Sequence, residues 1–241
     1  MAVNRKTFNL GMPKYLLRYL VLIAIAIVSV GPLLWLVSTA FKSQSENIFR
    51  FPPQFFPAQP TFDNFIKVWR ENPFHIYLFN SFLVSSITVV LNLLFCSLAA
   101  FPLARYEFKG KSLFFWSIIG TSMIPFEITI VPLCILSVKL NLYNTYAGLI
   151  FPYVVSAFGI FLMRQAFLGV PKELEEAARM DGCSTLGIWW HVMLPSTRPA
   201  LTTLAVFTFV AMWGDYLWPL IVVSDSSPAL FTLPLGVAKL A

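Results

Sequence analysis

Apolar residues along this chain fall into long blocks separated by short polar stretches. Five blocks are long enough to cross a bilayer as helices: about residues 16–41, 80–104, 113–138, 146–168 and 199–224. A hydrocarbon core about 30 Å thick takes about 20 apolar residues of helix, so each block is read as one continuous span. The pattern changes between the first and second blocks. Pro52, Pro53, Pro57, Pro60 and Pro73 mark residues 42–79 as an irregular outer connection. Within it, Phe62, Phe65, Ile66 and Trp69 recur at i, i+3, i+4 and i+7 behind Thr61 as N-cap candidate. That spacing predicts a short amphipathic helix lying on the membrane surface or on the bundle. The tail from Asp225 is too short, and too broken by Pro228 and Pro234, to span. The expected fold is an all-α polytopic transmembrane helix bundle, with residues 1–241 as a single domain.

Composition agrees with that pattern. The chain is 58% hydrophobic and 12% charged, against about 25% charged in an average soluble domain. Cys96 and Cys134 lie in apolar blocks and Cys183 in a polar loop, without CxxC spacing, and His75 and His191 are the only histidines. Neither a metal site nor a disulfide framework follows. The net charge of +6 is explained by topology. With a cytoplasmic N-terminus, Arg5, Lys6, Lys14, Arg18, Arg105, Lys109, Lys111 and the basic residues of loop 169–198 all fall inside. This is the side that carries the Lys/Arg excess in membrane proteins, and a nucleic-acid partner is unnecessary. The first block is far longer than the 7–15 residues or so of a signal-peptide core, so it is read as an uncleaved span.

The cytoplasmic loop 169–198 carries the most information. Pro171 suits a first helical position, Glu173, Glu175 and Glu176 load the first turns with acid, and Gly182 supplies a C-terminal stop. Leu174, Ala177, Ala178 and Asp181 are expected on one face, with a second short helix running to about Met193 before Leu194-Pro195 ends it. Such a helix–turn–helix could enter another protein's groove, its alanines allowing close approach and Glu176 and Asp181 meeting basic groups. It reads equally as an ordinary helical connection.

The residues of this loop resemble a known motif. Glu176-Ala177-Ala178, three residues, Gly182, nine residues, Val192, then Leu194-Pro195 is similar to the EAA motif of permease subunits of bacterial ABC importers, with Val192 where isoleucine is usual. Ser38-Thr39-Ala40-Phe41-Lys42, the stretch Ser97 to Arg105, Met123-Ile124-Pro125-Phe126-Glu127 and Trp213-Gly214-Asp215-Tyr216-Leu217-Trp218-Pro219 resemble the carbohydrate-uptake branch, in particular the smaller maltose-type permease. Gly214 stands where that branch commonly has asparagine. The resemblance implies the type I importer permease fold with six spans, the sixth absent from the sequence as given. It also implies a second permease subunit, two ATPase subunits that bind ATP and Mg, an extracytoplasmic solute-binding protein, and the bacterial inner membrane as location. The chain itself would bind no cofactor. Glu176, Ala177, Ala178, Asp181, Gly182, Leu194 and Pro195 would form the ATPase-docking coupling helix.

Ionisable groups inside a membrane are expensive, about 2.5–3.5 kcal/mol for Asp at a helix centre on insertion scales. Glu127, near the middle of the third block, and Asp215, in the fifth, are therefore candidates for the substrate pathway or for helix-interface hydrogen bonding. Asp215 lies among Trp213, Tyr216 and Trp218, a grouping suited to sugar recognition and equally to an interfacial aromatic belt. Ser81, Ser85, Thr88 and Asn92 fall on one face of the second span. Helix packing is the leading role for such residues, with lining of the pathway by Asn92 second.

Rival functions leave weaker marks. Gly110-Lys111-Ser112 imitates the end of a phosphate-binding loop, but Arg105 stands where the first glycine belongs and a membrane helix precedes it. An ion-gradient-driven transporter would carry internal repeats and broken helices with several midplane charges, and of such charges only Glu127 and Asp215 qualify. The solute is left open between a carbohydrate or polyol and a non-sugar such as glycerol phosphate.

Overall fold

A computed structural model describes residues 12–48, 50–52 and 54–240, all of them in helices, turns and loops, with no strand among them. The expected sixth span concerns sequence beyond these residues, and Arg5 and Lys6 also lie outside them. The chain divides into two compact units, one ending at Asn72 and one beginning at Pro73.

In the first unit, α1 (Met12–Ala40) is one continuous helix containing Pro32, in agreement with the first expected span. The amphipathic helix is also present, as α2 (Asp63–Glu71). It caps α1: Asn64 Nδ2 donates to the carbonyls of Ala40 at 3.0 Å and Lys42 at 2.8 Å. The Ala40 carbonyl is the last of α1 and lacks a partner within the helix, and that of Lys42 lies in the turn that follows. Phe62 and Phe65 of this segment pack on Phe41, with ring centroids 5.4 and 5.3 Å away. Thr61 Oγ1 accepts the Asp63 N–H at 3.1 Å. Glu46 closes the loop between α1 and α2 by accepting the N–H groups of Ala58 and Gln59 at 3.2 and 3.1 Å, and these bonds hold its carboxyl below the usual range.

The second unit is built on α3 (Phe74–Arg105), which starts earlier in the chain than the sequence pattern indicates. Its polar stripe faces inward: Asn80, Ser81, Ser85, Thr88 and Asn92 are all buried. Asn80 Nδ2 donates to the carbonyls of Ala229 and Phe231 at 2.8 and 2.9 Å, and its Oδ1 accepts from Tyr146 Oη at 2.7 Å. Ser81 Oγ accepts the Leu233 N–H at 2.7 Å, which ties down α13 (Leu233–Ala238). Where the surroundings are apolar, such bonds fix which helices meet.

The last three expected spans are not continuous. The third is α4 (Lys111–Thr121) and α5 (Phe126–Lys139), bent by 96°; the fourth is α6 (Tyr146–Ile150) with the turn Phe151–Tyr153, then α7 (Ala157–Leu168), bent by 51°. Pro125 and Pro152 stand at these breaks. Proline lacks an N–H and disfavours helical geometry in the residue before it. Ser156 restarts the chain by accepting the Gly159 N–H at 3.0 Å as N-cap of α7. The fifth expected span is α11 (Arg198–Trp213), an interruption over Gly214–Tyr216, and α12 (Leu217–Val222). Hydropathy averaged along the chain registers the apolar content of these segments but passes over the breaks.

Candidate functional site

The loop between α7 and α11 folds as expected at its first helix and differently at its second. α8 (Lys172–Met180) begins after Pro171, which occupies the capping position and not the first turn. It ends as the glycine predicts. Gly182 has φ of +80°, its N–H bonds to Arg179 O at 3.0 Å, and the Cys183 N–H bonds to Ala178 O at 2.9 Å. This pair of bonds is the Schellman closure, which needs a left-handed residue. α9 (Thr185–Ile188) follows, capped by Ser184. Leu194-Pro195 does not end this second helix: a π-turn at Trp189–Met193 leads into α10 (Leu194–Ser196). The hydroxyls of Ser196 and Thr197 donate back to the carbonyls of Val192 and Met193 at 2.7 and 2.8 Å.

One face of the loop is buried. Ala178, Ile188, Trp189 and Met193 join a core with Phe101 and Leu103 of α3 and Phe167 of α7. Glu175 lies on this face, only 8% exposed. Its Oε2 is 3.3 Å from Arg105 Nε, an ionic contact, and its Oε1 accepts from Arg179 Nη2 at 2.8 Å. Arg105, the last residue of α3, also donates through Nη2 to the Val170 carbonyl at 2.6 Å. Glu175 holds the Arg179 guanidinium above its usual range. The result is a charged clasp between α8 and the end of a membrane helix.

The seven expected docking residues divide accordingly. Glu176, Ala177, Asp181, Gly182 and Pro195 are exposed, Leu194 is half-buried against the core, and Ala178 is buried. The expectation that Ala177 and Ala178 share a face with Leu174 and Asp181 is therefore corrected. Ala178 turns inward with Glu175, which stands three residues earlier and so on the same face of the helix. Glu175 and Arg105 were missed from the sequence. The Glu175–Arg179 spacing of i, i+4 was the one available signal, while Arg105 is remote in the chain.

The five residues considered for a substrate pathway are dispersed. Asn92 and the Tyr153 segment line an open cavity of about 340 Å³, with Phe126, Ser156, Phe207 and Thr208. Asn92 Nδ2 donates to Tyr153 O at 2.9 Å, and its Oδ1 accepts from Thr208 Oγ1 at 3.4 Å, so it ties α3 to two neighbours while bordering the cavity. Asp215 sits in the break before α12, accepting from Tyr153 Oη at 2.8 Å and from the Trp218 N–H at 3.4 Å. Glu127 is not mid-helix: it stands exposed in the first turn of α5, at the 96° bend, where the helix dipole favours a carboxylate. The three aromatic residues near Asp215 have separate surroundings. Trp213 stacks on Phe209 at 5.7 Å, Tyr216 is 40% exposed, and Trp218 is fully buried with Nε1 donating to Gly148 O at 2.9 Å.

Residues 92–238 match the family described as binding-protein-dependent transport system inner membrane component. The chain is 41% identical over 218 residues to the arabinooligosaccharides transport system permease protein AraQ of Halalkalibacterium halodurans, covering 90% of this chain and 77% of that protein. It is 34% identical over 200 residues to the sn-glycerol-3-phosphate transport system permease protein UgpE of Yersinia enterocolitica, covering 80% of this chain and 71% of that one. Among solved structures, a bacterial ABC transporter involved in the import of the acidic polysaccharide alginate has a chain of the same fold. It superposes with a TM-score of 0.83 at 23% identity, over 99% of this chain and 81% of that chain.

Proposed function

The chain belongs to the binding-protein-dependent transport inner-membrane components, and from that premise we propose that it is one of two permease subunits of an ATP-driven importer for an oligosaccharide. In this reading loop 169–198 docks on a partner ATPase, which binds ATP and Mg, and a second permease completes the pathway. A solute-binding protein delivers the sugar on the opposite face. The N-terminus lies on the coupling-loop side, in the cytoplasm of a bacterial cell. The observation that carries the proposal is the two-sidedness of α8: Glu176, Ala177 and Asp181 are exposed while Glu175 and Ala178 are clasped to α3 and the core. A partner that grips the outer face can therefore move the membrane helices through the inner one. ATP and loaded binding protein would bias the same two-state element from opposite sides.

The sugar class rests on the name of the 41% identical relative. Glycerol phosphate is the second reading, on the name of the 34% identical one. The test is uptake by proteoliposomes holding the full-length permease with its co-expressed partner subunits and binding protein. ATP-dependent accumulation of arabinooligosaccharide, with none of sn-glycerol-3-phosphate, is expected; the reverse selectivity would establish the second reading.

A further inference from the structure

The Gly110-Lys111-Ser112 corner, unsuited to nucleotide binding, is left without a task by the transport reading. Gly110 has φ of +84°, a left-handed turn that starts α4 immediately after the chain leaves α3. The Lys111 side chain is tucked in at 15% exposure, with Nζ 3.0 Å from Glu107 Oε1, whose own side chain is 91% exposed. From α7, Arg164 reaches the same place. Its Nε donates to the Leu103 carbonyl at 3.0 Å, and its guanidinium carbon lies 4.2 Å from the Phe115 ring centroid. Its two terminal nitrogens take no hydrogen bond among the described residues. Lys111, Ser112, Arg164, Trp116 and Glu107 wall an open cavity of about 450 Å³. It lies at the end of the bundle that carries Arg105 and the coupling loop.

We infer that this cavity binds the phosphate headgroup of an anionic phospholipid in the leaflet on the coupling-loop side. Arg164 is held by its Nε and by the ring, which leaves its remaining donors available to a phosphate oxygen in the cavity it lines. Such a fork suits a phosphate better than a point charge does. Lys111 adds a second cation and Ser112 a hydroxyl. Two cations against the Glu107 carboxylate leave one positive charge in excess, which favours a headgroup without an ammonium. Glu107 can then accept from the hydroxyls of a glycerol headgroup. A soluble phosphate shares this chemistry, but the next turn of α4 presents Leu113, Phe114 and Trp116 at 75%, 58% and 64% exposure, an apolar path for the acyl chains. Basic pockets between helices at a membrane surface are recurrent headgroup sites.

The experiment is native mass spectrometry of the full-length permease in neutral detergent, titrated with phosphatidylglycerol or phosphatidylcholine of the same acyl composition. Preferential binding of phosphatidylglycerol is expected, reduced about fivefold in Lys111→Gln and unchanged in Lys109→Gln, which lies off the cavity. Arg164→Lys should weaken it by a similar factor, since the charge stays and the fork is lost. Among the described residues Lys111 pairs only with an exposed carboxylate, so its replacement leaves folding intact. Equal binding of the two lipids, equal losses in the Lys109 and Lys111 variants, or displacement by millimolar inorganic phosphate would each overturn the inference. The last would mark a soluble-anion site. None of these readouts depends on which solute is transported.

Discussion

Glu175 in loop 169–198 and Arg105 at the end of α3 meet with Oε2 3.3 Å from Nε, their side chains 11% and 4% exposed. The next residue, Glu176, points the other way into solvent. Two adjacent glutamates thus face opposite ways, one holding the loop to the membrane helix and one exposed, where the proposed partner would bind. The pair lets packing and docking be separated by single substitutions.

Removing one partner of a buried ion pair strands the other charge, at a cost of about 3–5 kcal/mol. Glu175→Ala should therefore lower the melting temperature of the detergent-solubilised permease substantially. Glu176→Ala should stay within about 0.5 kcal/mol of the parent, as exposed substitutions usually do. Equal destabilisation by the two would contradict the opposed orientation.

Gly182 should be restricted by backbone geometry alone, since no atom lies within 4 Å of an added Cβ but φ is +80°. Gly182→Ala is expected to cost about 1–2 kcal/mol at the end of α8 and to speed proteolysis of the loop. Gly182→Asn should be milder, because asparagine tolerates the left-handed region. If alanine is the milder replacement, the Schellman closure is not what fixes this residue.

Asn80 serves three groups, the carbonyls of Ala229 and Phe231 and the Tyr146 hydroxyl. Each buried polar group left unsatisfied costs about 1–3 kcal/mol. Asn80→Ala should release the segment before α13, seen as faster protease cleavage within residues 224–230. Unchanged cleavage would show that Ser81 and apolar packing suffice.

Tyr153 and Asp215 join the α6–α7 break to the α11–α12 break beside the 340 Å³ cavity. Tyr153→Phe and Asp215→Asn should each reduce uptake, and the double variant should lose little more than either single one. Additive losses would mean that the two act independently.

What the sequence disclosed depends on the range of the cause. The apolar content of the blocks, the amphipathic helix around Phe62–Trp69 and the stop at Gly182 are local features and follow their patterns, although α3 begins six residues before its expected start at Asn80. The breaks at Pro125 and Pro152 were visible as residues, but proline is tolerated inside membrane helices, as Pro32 is in α1 and Pro102 in α3. Its presence alone therefore did not distinguish a tolerated position from a 96° bend. Glu175 and Glu176 have the same chemistry and nearly the same position. Which turns inward depends on contacts remote in the chain, with Arg105 of α3 meeting Glu175 and the core receiving Ala178 on the same face.

The central claim, that the outer face of α8 carries the drive from an ATPase, is tested most directly by cysteine crosslinking. Ala177→Cys is introduced in a Cys183→Ser background, because Cys183 is exposed and would compete. In membranes containing the co-expressed subunits, the introduced thiol is expected to crosslink to an ATPase subunit with a yield that changes on adding ATP. Full solute uptake by this variant with no ATPase in the crosslinked product would contradict the account.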